Sequence, residues 1–187
     1  MIGLNAGGIV DLDFARILGM IAAFFRAENY PFGLIGAFGL HAYGLSRATH
    51  DLDFATDAAA QDKLIDFIES LGYKTLHRPA GYSTHCHPDE SLGRLDFVYV
   101  SGDTSRRLFG EMAGKLKIGG LEVPVPRPEH LAAMKIQAIK NDPSRKLQDL
   151  ADIGFLLSLP GVDEAEIRAY FEKCGLLSLY EHIKRKI

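Results

Sequence analysis

The chain has little that would cross-link it or hold it in a membrane. Of 187 residues only two are cysteine, Cys86 and Cys174. They stand far apart, which argues against a disulfide framework and makes a reducing compartment the default. No apolar run reaches the ~18 residues a membrane helix needs. The longest, residues 32–45, is interrupted by His41 and four glycines. An excess of positive charge is also missing: 21 Lys and Arg face 24 Asp and Glu, for a net charge of −3. That excludes a global basic field for nucleic acid and leaves only local patches, with Arg106-Arg107, Lys115/Lys117 and Arg145-Lys146 as candidates. The first ten residues lack a basic start and run directly into Asp11 and Asp13, so no export signal is expected and the expected location is cytoplasmic. There is no internal repeat and no low-complexity segment. What remains is an ordinary globular composition, 47% hydrophobic and 24% charged, long enough for one domain with its own core.

The pattern of elements is mixed. A helix is expected over about 12–28, capped by Asp11 or Asp13, with Phe14, Ile17, Leu18, Ile21 and Phe25 as its apolar stripe. Pro31 ends it, residues 32–36 form a short buried strand, and a brief helix covers about 38–43. Residues 51–56 alternate as a strand. Asp57 caps a helix whose core face is Leu64, Ile65, Phe67, Ile68 and Leu71, closed by Gly72. Strands follow at 73–77, 81–87 and 94–100. Asp103 caps a short helix through Met112, and residues 116–126 form a hairpin turning at Gly119-Gly120. The remainder is helical: one helix from Pro128 to Lys140, one capped by Ser144 and running to about Leu159, and a last amphipathic one from Asp163. An α/β core (residues 1–126) therefore carries a helical C-terminal portion (residues 127–187) in a single compact unit.

The chemistry concentrates at residues 34–56. Side chains two apart on a strand share a face, so Asp51 and Asp53 project together while Leu52 and Phe54 turn inward. Adjacent carboxylates repel and cost stability unless a cation neutralises them. Oxygen ligands of this kind suit Mg²⁺, which binds one or two carboxylates plus substrate phosphates. Asp96 is likewise a single acid within an apolar strand. If the two strands are neighbours, three carboxylates converge, enough to hold two ions for in-line displacement at phosphorus. Gly36 and Ala37, where a strand meets a helix, let the backbone approach a triphosphate, and Gly39 would widen that access.

These residues resemble the DNA polymerase β-type nucleotidyltransferase superfamily, most closely its small AbiEii-like toxin and MNT-like members. The resemblance spans about residues 32–157 and rests on Gly36-Ala37, Arg47-Ala48-Thr49, Asp51-Leu52-Asp53 and Asp96. Pro128-Glu129-His130-Leu131-Ala132-Ala133-Met134-Lys135 and the segment Arg145 to Ile153 continue it. It implies an α/β (α+β) nucleotidyltransferase fold: a mixed central sheet flanked by helices, with a helical C-terminal extension. It implies an enzyme that moves a nucleoside monophosphate from an NTP to an acceptor hydroxyl on a tRNA, a protein or a small molecule, with Mg²⁺ or Mn²⁺ as cofactor. By resemblance, Asp51, Asp53 and Asp96 bind metal, Asp96 takes the acceptor proton, Lys135 pairs with a phosphate, and Asp149 orients Lys135 or touches the nucleotide. Gly36, Ala37, Arg47 and Thr49 line the nucleotide. A toxin-type role would bring an antitoxin protein as partner. One departure is Ala37, where the family has Gly or Ser, so that position offers no hydroxyl.

Plainer readings stand beside these. Arg47 reads equally as a solvated loop arginine, Lys135 as a lysine snorkelling from its helix, and Arg145, Lys146, Asp149 and Asp152 as surface ion pairs. His85-Cys86-His87 suggests zinc but lacks a fourth ligand nearby. His41 reads as a packed histidine rather than a base, and Cys174 as core. Two other functions remain open: a degenerate nucleotide- or partner-binding module, favoured by Ala37, and an antitoxin-like dimer partner, which would show an exposed apolar face between Ile167 and Leu177.

Overall fold

The computed structural model describes residues 12–49 and 51–185, with side chains placed from residue 15 onward. The proposed caps Asp11 and Asp13 and the stripe residue Phe14 lie outside that description. The chain begins with helix α1 (Leu12–Ala27), strand β1 (Phe32–Leu34) and helix α2 (Gly36–His41). Strand β2 (Asp51–Asp57) leads through a 3₁₀ turn (Ala58–Ala60) into α3 (Gln61–Ser70). Next come β3 (Lys74–His77), β4 (Tyr82–Cys86), β5 (Arg94–Val100) and α4 (Gly102–Gly110). The hairpin β6 (Met112–Ile118) and β7 (Leu121–Pro126) precedes four helices: α5 (Pro128–Asn141), α6 (Lys146–Leu157), α7 (Glu164–Lys173) and α8 (Leu177–Lys184).

The main sheet has five strands in the order β1-β2-β5-β4-β3 and is mixed, as expected. β2 and β5 run parallel, and every other neighbouring pair in the sheet is antiparallel. β6 and β7 form a separate two-stranded ribbon. One sheet face is apolar because alternate residues are: Leu52 and Phe54 on β2, and Leu95 and Phe97 on β5, are fully buried. The stripe of α1 lands on them. Phe25 stacks on Phe32 with ring centroids 4.7 Å apart, and Phe54 stacks on Phe97 at 5.4 Å. These rings, with Leu64 and Ile68 of α3, fill the layer beneath the sheet. The opposite face keeps the acids.

Several boundaries differ from the expectation, each for a local reason. Asp57 caps the 3₁₀ turn rather than α3 itself, accepting from the Ala59 amide. Ser101, not Asp103, is the N-cap of α4, and Asp103 lies in its first turn. That helix stops at Gly110, so Met112 opens β6 instead of ending a helix. Asp142, not Ser144, supplies the cap after α5: its carboxylate accepts from the Ser144 amide and starts a 3₁₀ turn. The last helix is two helices, because Gly175 takes φ = 71°, a left-handed conformation suited to glycine, between α7 and α8. The hairpin does turn at Gly119-Gly120, with φ of 56° and 82°, the signature of a turn that fits strand twist.

The apolar residues of α7 do not form an exposed docking face. Ile167 and Phe171 are fully buried, with Phe171 packed near Tyr180 of α8. This removes the feature on which the dimer-partner reading rested. Among the described residues no helix is long and apolar enough to cross a membrane. Phe97 sits at the centre of the stacked rings, so Phe97→Ala is expected to cost roughly 3–5 kcal/mol. Urea unfolding should show a lowered midpoint at unchanged slope.

Candidate active site

The parallel pairing of β2 and β5 builds the site. Its register sets Asp53 directly opposite Asp96 and Asp51 opposite Arg94. Three carboxylates therefore converge at one end of two adjacent strands. Asp51 and Asp96 are partly exposed, with side-chain accessibilities of 40% and 21%. Asp53 is deeper. Burial, reinforced by Asp96 and Asp51, pushes its carboxyl up to about 6, against the opposing charges of Arg94 and Lys135.

Two neighbours restrain the acids. Thr84, on β4, donates to Asp96 Oδ1 at 2.7 Å. Arg94 lies two residues before Asp96 on the same strand face. Its Nε donates to Asp96 Oδ2 at 2.8 Å, and its Nη2 lies 2.8 Å from that oxygen and 3.2 Å from Asp51 Oδ2. Desolvation works against the Arg94 charge, but Asp96 and Asp51 outweigh it and its pKa is raised. The i, i+2 argument that pairs Asp51 with Asp53 applies equally to Arg94 and Asp96, yet the arginine was not singled out from sequence.

α2 closes the site from above β2. The Ile35 amide donates to the Asp53 carbonyl at 2.9 Å, fixing the strand-to-helix turn against β2. Gly36 begins α2 with φ = 59°, and a Cβ there would stand 1.9 Å from Asp53 Oδ2. A side chain at this position would collide with the carboxylate as well as strain the backbone. Ala37 is buried, so its methyl belongs to the core. Gly39 does not widen access to the site: it meets α5, where an added Cβ would stand 3.1 Å from Leu131 Cδ2.

Lys135, on α5, is buried and held at 3.1 Å from Asp149 and 2.5 Å from Asp152, both on α6. Arg145 reaches Asp149 at 3.1 Å, and Arg47 lies 3.5 Å from Asp152. Gln148, with its amide turned so that the carbonyl oxygen faces Arg47, accepts from Arg47 Nη2 at 3.1 Å. So Lys135 does not snorkel. Asp149 and Asp152 are 1% and 4% exposed, not a surface pair. Asp152, read from sequence as an ordinary helix-face charge, is the residue that ties Lys135 to Arg47. Three cations on two carboxylates leave positive charge in excess here, and the buried Nε of Arg47 finds no partner among the described residues.

Thr49 and His41 shape the loop before β2. Thr49 Oγ1 accepts from the Asp51 amide at 3.2 Å. His41 Nε2 lies 3.1 Å from the Arg47 amide and 2.9 Å from its carbonyl oxygen, so His41 anchors the loop, as its packed reading implies. The zinc reading of residues 85–87 fails on geometry. His85 is buried with Nδ1 3.0 Å from Thr75 Oγ1 and Nε2 2.8 Å from Ser83 Oγ, while Cys86 faces outward. Cys174 sits at the rim of the core rather than inside it.

A divalent cation fits Asp51, Asp53 and Asp96 by donor chemistry and by charge. The donors are hard carboxylate oxygens, and Asp53 is raised first by burial and only then by the charges of Asp96 and Asp51. As placed, no group of three or more His, Cys, Asp or Glu among the described residues is arranged to hold a metal ion. The elevated pKa also has a consequence for stability. An acid whose pKa rises on folding binds its proton better folded than unfolded, so in chelator the stability falls as pH climbs from about 4 to about 6. Asp53→Asn removes that titration. It is expected to be more stable than the native chain at pH 8, on the order of 2 kcal/mol, with the gap closing towards pH 4. Denaturant melts at both pH values measure it.

The comparisons bear on the fold and the family. In solved structures the chain is similar to the antibiotic-resistance factor ANT(2'')-Ia, with 15% identity, a TM-score of 0.56, and 92% of this chain and 95% of that one covered. It is similar to the lincosamide antibiotic adenylyltransferase LnuA in its lincomycin-bound form, with 20% identity, a TM-score of 0.53, and coverages of 76% and 96%. It is also similar to an antigenic nucleotidyltransferase-like protein from Paracoccidioides brasiliensis, with 14% identity, a TM-score of 0.54 and 92% of each chain covered. At these identities the likeness establishes the nucleotidyltransferase fold. No curated protein sequence matches. The model of the family described as nucleotidyl transferase AbiEii toxin, type IV toxin–antitoxin system, matches residues 21–186. The chain belongs to that family of nucleotidyltransferases.

Proposed function

We propose that the chain transfers a nucleoside monophosphate from an NTP to an acceptor hydroxyl with Mg²⁺ or Mn²⁺ held by Asp51, Asp53 and Asp96. The observation that carries this reading is the β2–β5 register, in which Asp53 faces Asp96 and Asp51 lies one pleat away. The bound cation would neutralise the acids and polarise the phosphate oxygens. The acceptor oxygen bonds to the α-phosphorus, the bond from that phosphorus to the bridging oxygen breaks, and pyrophosphate leaves. Asp96, open to solvent on one side, takes the acceptor proton. Gly36 leaves room for the Asp53 carboxylate at the strand-to-helix turn, beside which the phosphates would lie. Ala37 supplies backbone alone. Lys135 and Arg47 would supply positive charge towards the phosphates, Asp149 and Asp152 hold Lys135 in place, and Thr49 fixes the strand start at Asp51.

Family membership supports a toxin-type role with an antitoxin protein as partner. Two of the solved relatives are named for action on antibiotics, which keeps a small-molecule acceptor in view beside RNA and protein. The test is incubation with Mg²⁺ and each α-labelled NTP in turn, with cellular RNA, protein and small-molecule extracts as acceptors. Label transfer is expected with the native chain and should fall by about 10³ or more in Asp51→Ala/Asp53→Ala. Absence of transfer, with nucleotide still protecting the chain against heat, would leave a binding module instead.

A further inference from the structure

Arg94 is absent from the roles assigned above, yet it touches two of the three acids. Its guanidinium spans Asp51 and Asp96 from the adjacent strand position, at 3.2 and 2.8 Å. A fork of donors is well shaped to bridge carboxylates in this way. The oxygens it holds are those assigned to the divalent cation, and two cations crowded onto the same oxygens repel strongly. Arg94 is also free to leave. Its side chain is 47% exposed, at the solvent end of the site.

We propose that Arg94 is a resident counter-ion of this site: its guanidinium neutralises Asp51 and Asp96 in the free chain and must leave both before a divalent cation can bind there. The device rests on the metal reading of Asp51, Asp53 and Asp96. It tolerates three clustered acids during folding without metal, and it opposes loading of bare metal by the free chain. Metal loading is thereby left to the moment when an anionic substrate arrives with the ion and offers the displaced guanidinium a new partner.

The experiment is a titration of the full chain with Mn²⁺ alone, with free ion read by electron paramagnetic resonance. Arg94→Gln is expected to bind Mn²⁺ at least about tenfold more tightly than the native chain. Arg78→Gln removes an exposed charge paired with Asp62 rather than with the three acids, and should change the affinity less than about twofold. Unchanged affinity in Arg94→Gln would overturn the proposal while leaving the metal site intact. Equal gains in both variants would overturn it in favour of a general field effect. No Mn²⁺ binding by native chain or Arg94→Gln at millimolar metal would sink the metal reading and this proposal together. Should Arg94→Gln fail to fold, Arg94→Lys keeps the charge but loses the two-pronged bridge, and a smaller gain is expected. In the native chain, the Arg94 Nε–H resonance should shift on saturation with Mg²⁺. A resonance that stays fixed while Mg²⁺ binds would also overturn the proposal.

Discussion

Three carboxylates crowded onto one end of two parallel strands repel one another, and much of the surrounding structure is arranged to tolerate that repulsion. The crowding is a matter of register. With Asp53 opposite Asp96, a slip of one residue would turn Leu52 and Phe54 out of the core and both acids into it. The aromatic layer of Phe25, Phe54 and Phe97 therefore fixes the site as firmly as it fixes the fold. Around the acids, Thr84 and Arg94 satisfy Asp96, Arg94 also reaches Asp51, and the more distant charge of Lys135 offsets part of the charge on Asp53. Gly36 is the steric side of the same constraint, since the space its missing side chain leaves is filled by the Asp53 carboxylate.

The helical half meets a different difficulty. Burying Lys135, Asp149 and Asp152 removes three charges from water, a desolvation cost that ion pairing alone seldom recovers fully. The arrangement limits it by placing each charge against an opposite one. Breaking a single member would leave its neighbours uncompensated, so the network holds α5, α6 and the loop before β2 in one relative geometry. Arg47 joins that network through Asp152, while its backbone is tied to His41 at the end of α2. The loop between α2 and β2 is thus fixed from both halves of the chain, which counts for more at a candidate site than any net stability the pairs contribute.

Much of this was legible in the sequence because period and punctuation are local. Alternation in residues 51–56 and 94–100 gave both strands and the inward turn of Leu52 and Phe54, and Gly119-Gly120 gave the hairpin. What stayed hidden depends on contacts across distance. Nothing local distinguishes Asp149 and Asp152 as buried acids from the same residues on a solvated helix face; only the packing of α6 on α5 decides it. Gly39 misled for the same reason, since a glycine that admits a ligand and one that admits Leu131 look alike in a string of letters. The missed break at Gly175 was in principle visible, but an amphipathic pattern that continues on both sides of it hides a left-handed residue. The caps misassigned to Ser144 and Asp103 show how several Ser and Asp candidates close together defeat a rule based on residue type alone.

The two sides of the candidate site carry opposite charge, and the proposed transfer would draw on that complementarity. The sheet contributes acids on a rigid register, where small displacements are resisted by the packed rings beneath. The helices and the loop contribute Lys135, Arg47 and Arg145, with positive charge left over after Asp149 and Asp152 are paired. Under the proposed transfer, a cation bound to a chain of phosphates would satisfy both sides at once, whereas either component alone would leave one side uncompensated. Lys135 lowers the Asp53 pKa against burial and the two neighbouring acids, so the charge of the helices reaches the acids of the sheet. In the proposed reading, charge alone would select the combined ligand over its parts, with the acids of the sheet on one side and the buried lysine on the other.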